Sequence, residues 1–245
     1  MSIWGKVIGG IAGFSIGGPL GAILGVMAGN IFDKKSIKNF NYKNISNEQK
    51  QSIFAFSIIV LSAKLAKSDG TVTKDEINAF KEKFKIPKDN INKVSRLFNE
   101  AKKSTYGYEK IAQQISYIFS DNKIILEELL NNLFYIAEAD GNISKEEVLF
   151  LKNISNIFGF NDVTFERIYQ YRLTNVNSDP FKTLGVKRSD SNETIRKAWL
   201  QIIKEHHPDN LISKGMPKEF IDQANKELSS VNNAYDKIKK LRNIK

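Results

Sequence analysis

The chain has 245 residues, 41% of them hydrophobic, a net charge of +10 and no cysteine. That length suits one or two domains, and the apolar content suits packed cores and excludes wholesale disorder. The lack of cysteine excludes disulfides, thiolate metal sites and a cysteine nucleophile. The positive charge is spread along the chain with no dense basic arm, so nucleic acid is not an expected partner.

From Val7 to Phe32 the chain runs 26 residues without a charge and ends at Asp33-Lys34-Lys35. As a helix this run reaches about 39 Å, enough to cross a hydrocarbon core of about 30 Å with some tilt. It is longer than the apolar region of a secretory signal, and a charged flank follows it, so a retained single transmembrane helix over 7–32 is expected. Gly9, Gly13, Gly17, Gly21, Gly25 and Gly29 recur every four residues, on one slowly drifting stripe where a second backbone can approach closely. A homodimer through this stripe is one expectation; an anchor that merely tolerates its glycines is the other. Pro19 can kink the helix in mid-span. Lys34, Lys35, Lys38 and Lys43 follow the span, whereas only Lys6 and the terminal amine precede it. The positive-inside rule then leaves residues 1–6 outside and everything after a 33–46 linker in the cytoplasm.

Residues 47–174 read as consecutive amphipathic helices with no strand. The stretch from Asn47 to Lys67 carries Ile53, Phe56, Val60, Leu61 and Leu65 near helical spacing, and Glu127 to Ala139 repeats the pattern with Leu129, Leu130, Leu133, Phe134 and Ile136. Two turns duplicate each other at an offset of 71: Asp69-Gly70-Thr71-Val72-Thr73-Lys74-Asp75-Glu76 and Asp140-Gly141-Asn142-Ile143-Ser144-Lys145-Glu146-Glu147. Thr73 with Glu76 and Ser144 with Glu147 form capping boxes, each contributing about 1 kcal/mol of helix stability. Asp69, Glu76, Asp140 and Glu147 are also candidate ligands for a divalent metal. They do not make EF-hands, because Leu65 and Ile136 stand at the first ligand position.

A linker is expected at 175–178, within a loose stretch from Tyr169 to Asp179, and the last domain at 179–245. Asp179 is the expected cap of a helix opened by Pro180, with Phe181 and Leu184 turned inward and Gly185 ending the turn. Asn192 is the expected cap of the next helix, whose apolar stripe is Ile195, Ala198, Trp199, Ile202 and Ile203; Arg196, Lys197 and Lys204 lie off that stripe. A second long helix runs from Glu219 to Leu241 with Phe220, Ala224, Leu228, Val231, Ala234, Tyr235 and Ile238 at spacings of three and four. Between the two lies His206-His207-Pro208-Asp209-Asn210, which holds both histidines of the chain. Pro208 stops the helix from running through, so His207 and Asp209 are expected at the exposed tip of a helical hairpin.

The duplicated acidic turns resemble the TerB-like helical domain of tellurite-resistance type, over roughly residues 48–172; this implies a compact bundle used for sensing or interaction, with the turn acids as suspected metal ligands. Phe181-Lys182-Thr183-Leu184-Gly185-Val186, Ile195-Arg196-Lys197-Ala198-Trp199, His207-Pro208-Asp209 and Asn233-Ala234-Tyr235 resemble J-domain motifs in order and spacing. Leu200 and Gln201 interrupt the basic run common in that family, and Trp199 stands where tyrosine is usual. The J-domain resemblance implies a co-chaperone, not an enzyme, that needs no cofactor. In it His207, Pro208, Asp209, Arg196, Lys197 and Lys204 dock on a DnaK-type chaperone and accelerate its ATP hydrolysis. With Ile3-Trp4-Gly5-Lys6 before the span and Phe32-Asp33-Lys34 after it, the whole layout is similar to the DjlA-like family of membrane-anchored DnaJ proteins. That implies a bacterial inner-membrane protein with a periplasmic N-terminus, linked to envelope stress signalling, and an all-α architecture.

Two other functions compete. A metallohydrolase built on His206, His207 and Asp209 lacks a third histidine, and adjacent side chains on a helix diverge by about 100°. A purely structural scaffold or metal sensor would act through the middle bundle and the glycine stripe, with the tripeptide dispensable.

Overall fold

The apolar stretch after residue 45 forms the helix around which the rest of the molecule is built. A computed structural model describes residues 3–6, 45–68, 80–103, 105, 107–138, 143–172 and 178–244. Within them every regular element is helical. The first part comprises α1 (Ile3–Lys6), α2 (Asn47–Ala66), α3 (Lys88–Ala101), α4 (Tyr108–Ile118), α5 (Lys123–Ala137), α6 (Lys145–Ile157) and α7 (Asp162–Arg172). The second comprises α8 (Pro180–Thr183), α9 (Asn192–Glu205), α10 (Pro208–Ser213) and, after a 3-10 turn at Lys218–Phe220, α11 (Ile221–Leu241).

Ser46 caps α2 by accepting from the Gln49 amide while the Gln49 side chain accepts from the Ser46 amide, a capping box that fixes where the helix starts. From Ser52 to Ala66 every residue is buried. The sequence predicts an amphipathic helix here; the structure surrounds α2 with α3, α4, α5 and α6 instead. A helix apolar around most of its circumference requires such a central position. The second predicted capping box forms as expected: Ser144 Oγ accepts from Glu147 N at 3.1 Å and Glu147 Oε2 accepts from Ser144 N at 2.9 Å. Its counterpart at Thr73 and Glu76 lies outside the described residues, as do Gly70 and Gly141. Helix α7 continues through Arg172, so regular structure extends into the stretch from Tyr169 that reads as a linker.

In the second part, α9 and α11 pair antiparallel over a small core of Phe181, Leu184, Ile195, Ile202, Val231, Tyr235 and Ile238. Trp199 stacks on Tyr235 with ring centroids 4.3 Å apart and donates Nε1–H to Asn232 at 2.9 Å. Asp179 caps α8 with Pro180 at its first position, and Gly185 closes the turn at φ 66°. The cap of α9 is Ser191, not Asn192: Ser191 Oγ accepts from Thr194 N at 3.1 Å. Asn192 is the first helical residue, and its Oδ1 accepts from Arg242, which ties the chain end to the start of α9.

The two parts do not sit apart. Leu211, Met216, Phe220 and Ala224 belong to the same buried cluster as the helices around α2. The Phe220 ring lies 5.1 Å from Phe54 and 5.0 Å from Phe84. At Gly215, φ is 107° and a Cβ would meet Lys50 Cβ at 2.8 Å, so only glycine lets the loop after α10 rest on the first turns of α2. Asn47 Nδ2 donates to the Ile212 carbonyl at 3.3 Å, and Lys85 pairs with Asp222. On the other flank Lys182 pairs with Glu166 and the Asp179 amide donates to Gln170 at 3.0 Å.

Helix α1 joins this assembly. Trp4 is fully buried, 5.6 Å from the Phe220 ring, and the Ile3 amide donates to Glu219 at 3.2 Å. That packing sets Ile3 and Trp4 into the same buried cluster as the helices around α2. Among the described residues no helix is long and apolar enough to cross a membrane. The expected span 7–32 and all six stripe glycines (Gly9, Gly13, Gly17, Gly21, Gly25 and Gly29) lie outside them.

Candidate functional site

The tripeptide sits at the tip of the α9–α11 hairpin, but not as an irregular loop. His207 is the N-cap of α10, Pro208 its first residue and Asp209 its second. The missing amide of proline costs nothing at a helix start, and its fixed φ favours that position. The His207 ring accepts at Nδ1 from the Asp209 amide at 3.2 Å, the capping contact that orients the imidazole. Asn210 Nδ2 donates to the Glu205 carbonyl at 2.6 Å, holding the end of α9 against the start of α10. The sequence places Asn210 beside the tripeptide without revealing this positioning role.

Side-chain exposure is 55% for His207 and 91% for Asp209, so both present their polar atoms to solvent as expected, with Pro208 half-buried. Arg196, Lys197 and Lys204 are exposed on α9, and Lys197 pairs with Glu193 one turn earlier at 2.6 Å. Leu200, 46% exposed, lies with Lys204, His207, Asp209 and Lys214 along an open groove beside the tripeptide. The structure therefore brings His207, Asp209 and Lys204 to one groove, with Pro208 half-buried between the first two in the chain and Arg196 and Lys197 farther along α9.

The neighbouring histidine behaves in the opposite way. His206 is 3% exposed and faces α5, with Nδ1 2.6 Å from Glu128 Oε1 and Nε2 3.2 Å from Glu127 Oε1. Burial alone would lower its pKa, but the Glu127 and Glu128 carboxylates outweigh that and raise it to about 10. Glu127 also pairs with the Arg167 guanidinium of α7. Burial pushes Glu127 up, and the charges of Arg167 and His206 overcome it and bring the carboxyl down to about 2. Glu227 of α11 is buried beside them and accepts from Asn131 Nδ2. The pairing of these α5 glutamates with the last domain has no signature in the sequence beyond polar residues in an otherwise apolar helix. A shared site for His206 and His207 does not form, because the two rings point to opposite environments. This removes the metallohydrolase constellation.

Of the turn acids that are candidate metal ligands, Glu147 commits Oε2 to its capping box. Asp69, Glu76 and Asp140 lie outside the described residues.

Comparison with known families divides the chain into three matches. The co-chaperone DjlA transmembrane domain matches residues 1–50, tellurite resistance protein TerB matches 55–170, and the DnaJ domain matches 179–243. A co-chaperone protein DjlA of Photobacterium profundum is 25% identical over 277 residues, covering 99% of this chain and all of that protein. The Legionella pneumophila protein of the same name is 26% identical over 279 residues, covering 96% of this chain and 94% of its own length. That of Haemophilus influenzae is 26% identical over 290 residues, covering both chains fully. No solved structure gave a significant match. With an anchor segment, a TerB-type bundle and a J-domain in the order of relatives matched over nearly their whole length, the chain belongs to the DjlA-like, membrane-anchored co-chaperones of the DnaJ family.

Proposed function

We propose that the J-domain docks on the ATPase domain of a DnaK-type chaperone and stimulates its ATP hydrolysis. The single observation that carries this reading is the division of labour between adjacent histidines: His206 is buried in the molecule, and His207 is left exposed with Asp209 at the tip. Asp209 offers a carboxylate to a chaperone arginine, and His207 contributes contact and caps the turn that aims Asp209. Arg196, Lys197 and Lys204 steer an acidic surface toward the tip, so the association rate falls with added salt. The test adds the full chain in detergent to a DnaK-type chaperone in single-turnover ATP hydrolysis. Wild type accelerates hydrolysis, and His207→Gln returns it to the unstimulated rate. Equal rates for the two proteins overturn the reading, and activity lost only on removing 1–46 would favour the scaffold instead.

In the same proposal 47–174 and 179–245 are the two cytoplasmic domains, 7–32 is a single span of the inner membrane, and the glycine stripe pairs two copies. Client choice and envelope stress signalling would follow from what the TerB-like bundle recognises. The contact of Trp4 with Phe220 cannot coexist with an N-terminus on the far side of the inserted anchor. Because the chain has no cysteine, a Ser2→Cys variant separates the two arrangements. A membrane-impermeant maleimide added from the periplasmic side labels it if the topology is correct. Labelling only after the inner membrane is opened overturns the topology and leaves the Trp4 contact standing.

A further inference from the structure

We propose that Glu128, His206 and Glu227 bind one divalent transition-metal cation of the zinc class at the contact between the bundle and the J-domain. Glu128 comes from α5, His206 from the end of α9 and Glu227 from α11. One ligand atom of each lies within 4.8 Å of the others. All three side chains are buried, at 0%, 3% and 4% exposure. In a tetrahedral zinc site, bonds of about 2.1 Å put ligand atoms about 3.4 Å apart, so modest side-chain rotations gather this set around an ion.

Two further observations point to a cation. Glu128 Oε2 is buried and has no hydrogen-bond partner, although its other oxygen faces His206. A carboxylate oxygen in that condition lacks the donor or cation that buried acceptors ordinarily have. His206 also has Glu127 behind it, with Nε2 3.2 Å from Oε1. A carboxylate on the remote nitrogen fixes the ring, and the near nitrogen, here Nδ1, ligates the metal by releasing its proton to solvent as the cation binds. Gln223 Nε2 at 3.4 Å and Asn131 Nδ2 orient Glu227.

One imidazole and two carboxylates select a borderline cation; calcium and magnesium favour oxygen alone. The set differs from the turn acids Asp69, Glu76, Asp140 and Glu147. Because two ligands belong to the J-domain and one to the bundle, the bound cation fastens the domains together beside the tripeptide. This inference does not depend on the chaperone reading, and its test reads metal directly.

The test titrates Co2+ into metal-free full-length protein in detergent micelles at pH 7. It follows the visible absorption of the ion and the paramagnetically shifted imidazole signal of a coordinated histidine. Wild type takes up one equivalent with a shifted imidazole signal, and His207→Gln keeps both, since His206 is then the sole histidine. Glu128→Gln and Glu227→Gln each weaken binding by about tenfold or more. If wild type binds no Co2+, or binds it with no shifted imidazole signal, the proposal fails and a proton on His206 joins the two glutamates instead. Unchanged binding in folded Glu128→Gln and Glu227→Gln also overturns it. Should either variant fail to fold, the imidazole signal in wild type and His207→Gln still decides.

Discussion

Arg167→Met is expected to destabilise the folded chain by about 3–5 kcal/mol, because it strands a buried carboxylate. Arg167 and Glu127 are 11% and 8% exposed, and the guanidinium bonds directly to the carboxylate. Methionine fills similar volume but supplies no charge, leaving Glu127 with the His206 ring as its described cationic neighbour. Glu127, held at about 2 instead of its ordinary 4.5, contributes stability that is fully present above pH 4.5. That contribution, about 3 kcal/mol for such a shift, is lost as pH falls from 4.5 toward 2. In Arg167→Met the acid-dependent part shrinks, since the folded carboxyl moves back toward its ordinary value. Urea unfolding at pH 7 and at pH 4 checks both effects. A double variant that adds Glu127→Gln should recover part of the loss, because no charge is then stranded. A cost below about 1 kcal/mol at pH 7 would show that the pair is solvated and that α7 does not clamp α5.

Much of the last domain is legible in the sequence because its determinants are local. Asp179-Pro180 fixes a helix start, Gly185 supplies a left-handed turn, and the three-and-four spacing from Ile195 and from Val231 fixes the two faces that meet. The Ser144–Glu147 box is equally local, with partners three residues apart. What the sequence leaves hidden is non-local. Glu127, Glu128, Asn131 and Asn132 are polar residues in an otherwise apolar helix, and all four are buried. The histidine against Glu128 lies 78 residues further along the chain, and no periodicity announces it. Likewise nothing in His206-His207 tells which ring faces inward. That choice is made when Leu211 and Phe220 enter the core around α2 and carry His206 with them. The site thus divides: the exposed tip was readable from motif and spacing, and its buried neighbour required the docking of two domains.

Phe220→Ala is the sharpest probe of that docking, with an expected cost of about 3–5 kcal/mol. The ring is 1% exposed and contacts Trp4, Phe54 and Phe84 at centroid distances of 5.6, 5.1 and 5.0 Å. It stands outside the α9–α11 core, which is closed by Ile195, Val231, Tyr235 and Ile238. The loss should therefore fall on the joint and not on the hairpin. Native-state hydrogen exchange resolves the difference: amides at the Asn47 end of α2 and in α10 lose protection, while Ile195, Ile202 and Ile238 keep theirs. Because His207 and Asp209 lie on the solvent side of α10, the stimulation proposed for the tip should survive in this variant. Uniform loss of protection across α9 and α11 would mean that the J-domain has no stability of its own. The bundle would then be a required half of its core, and the hairpin could not present the tip without it.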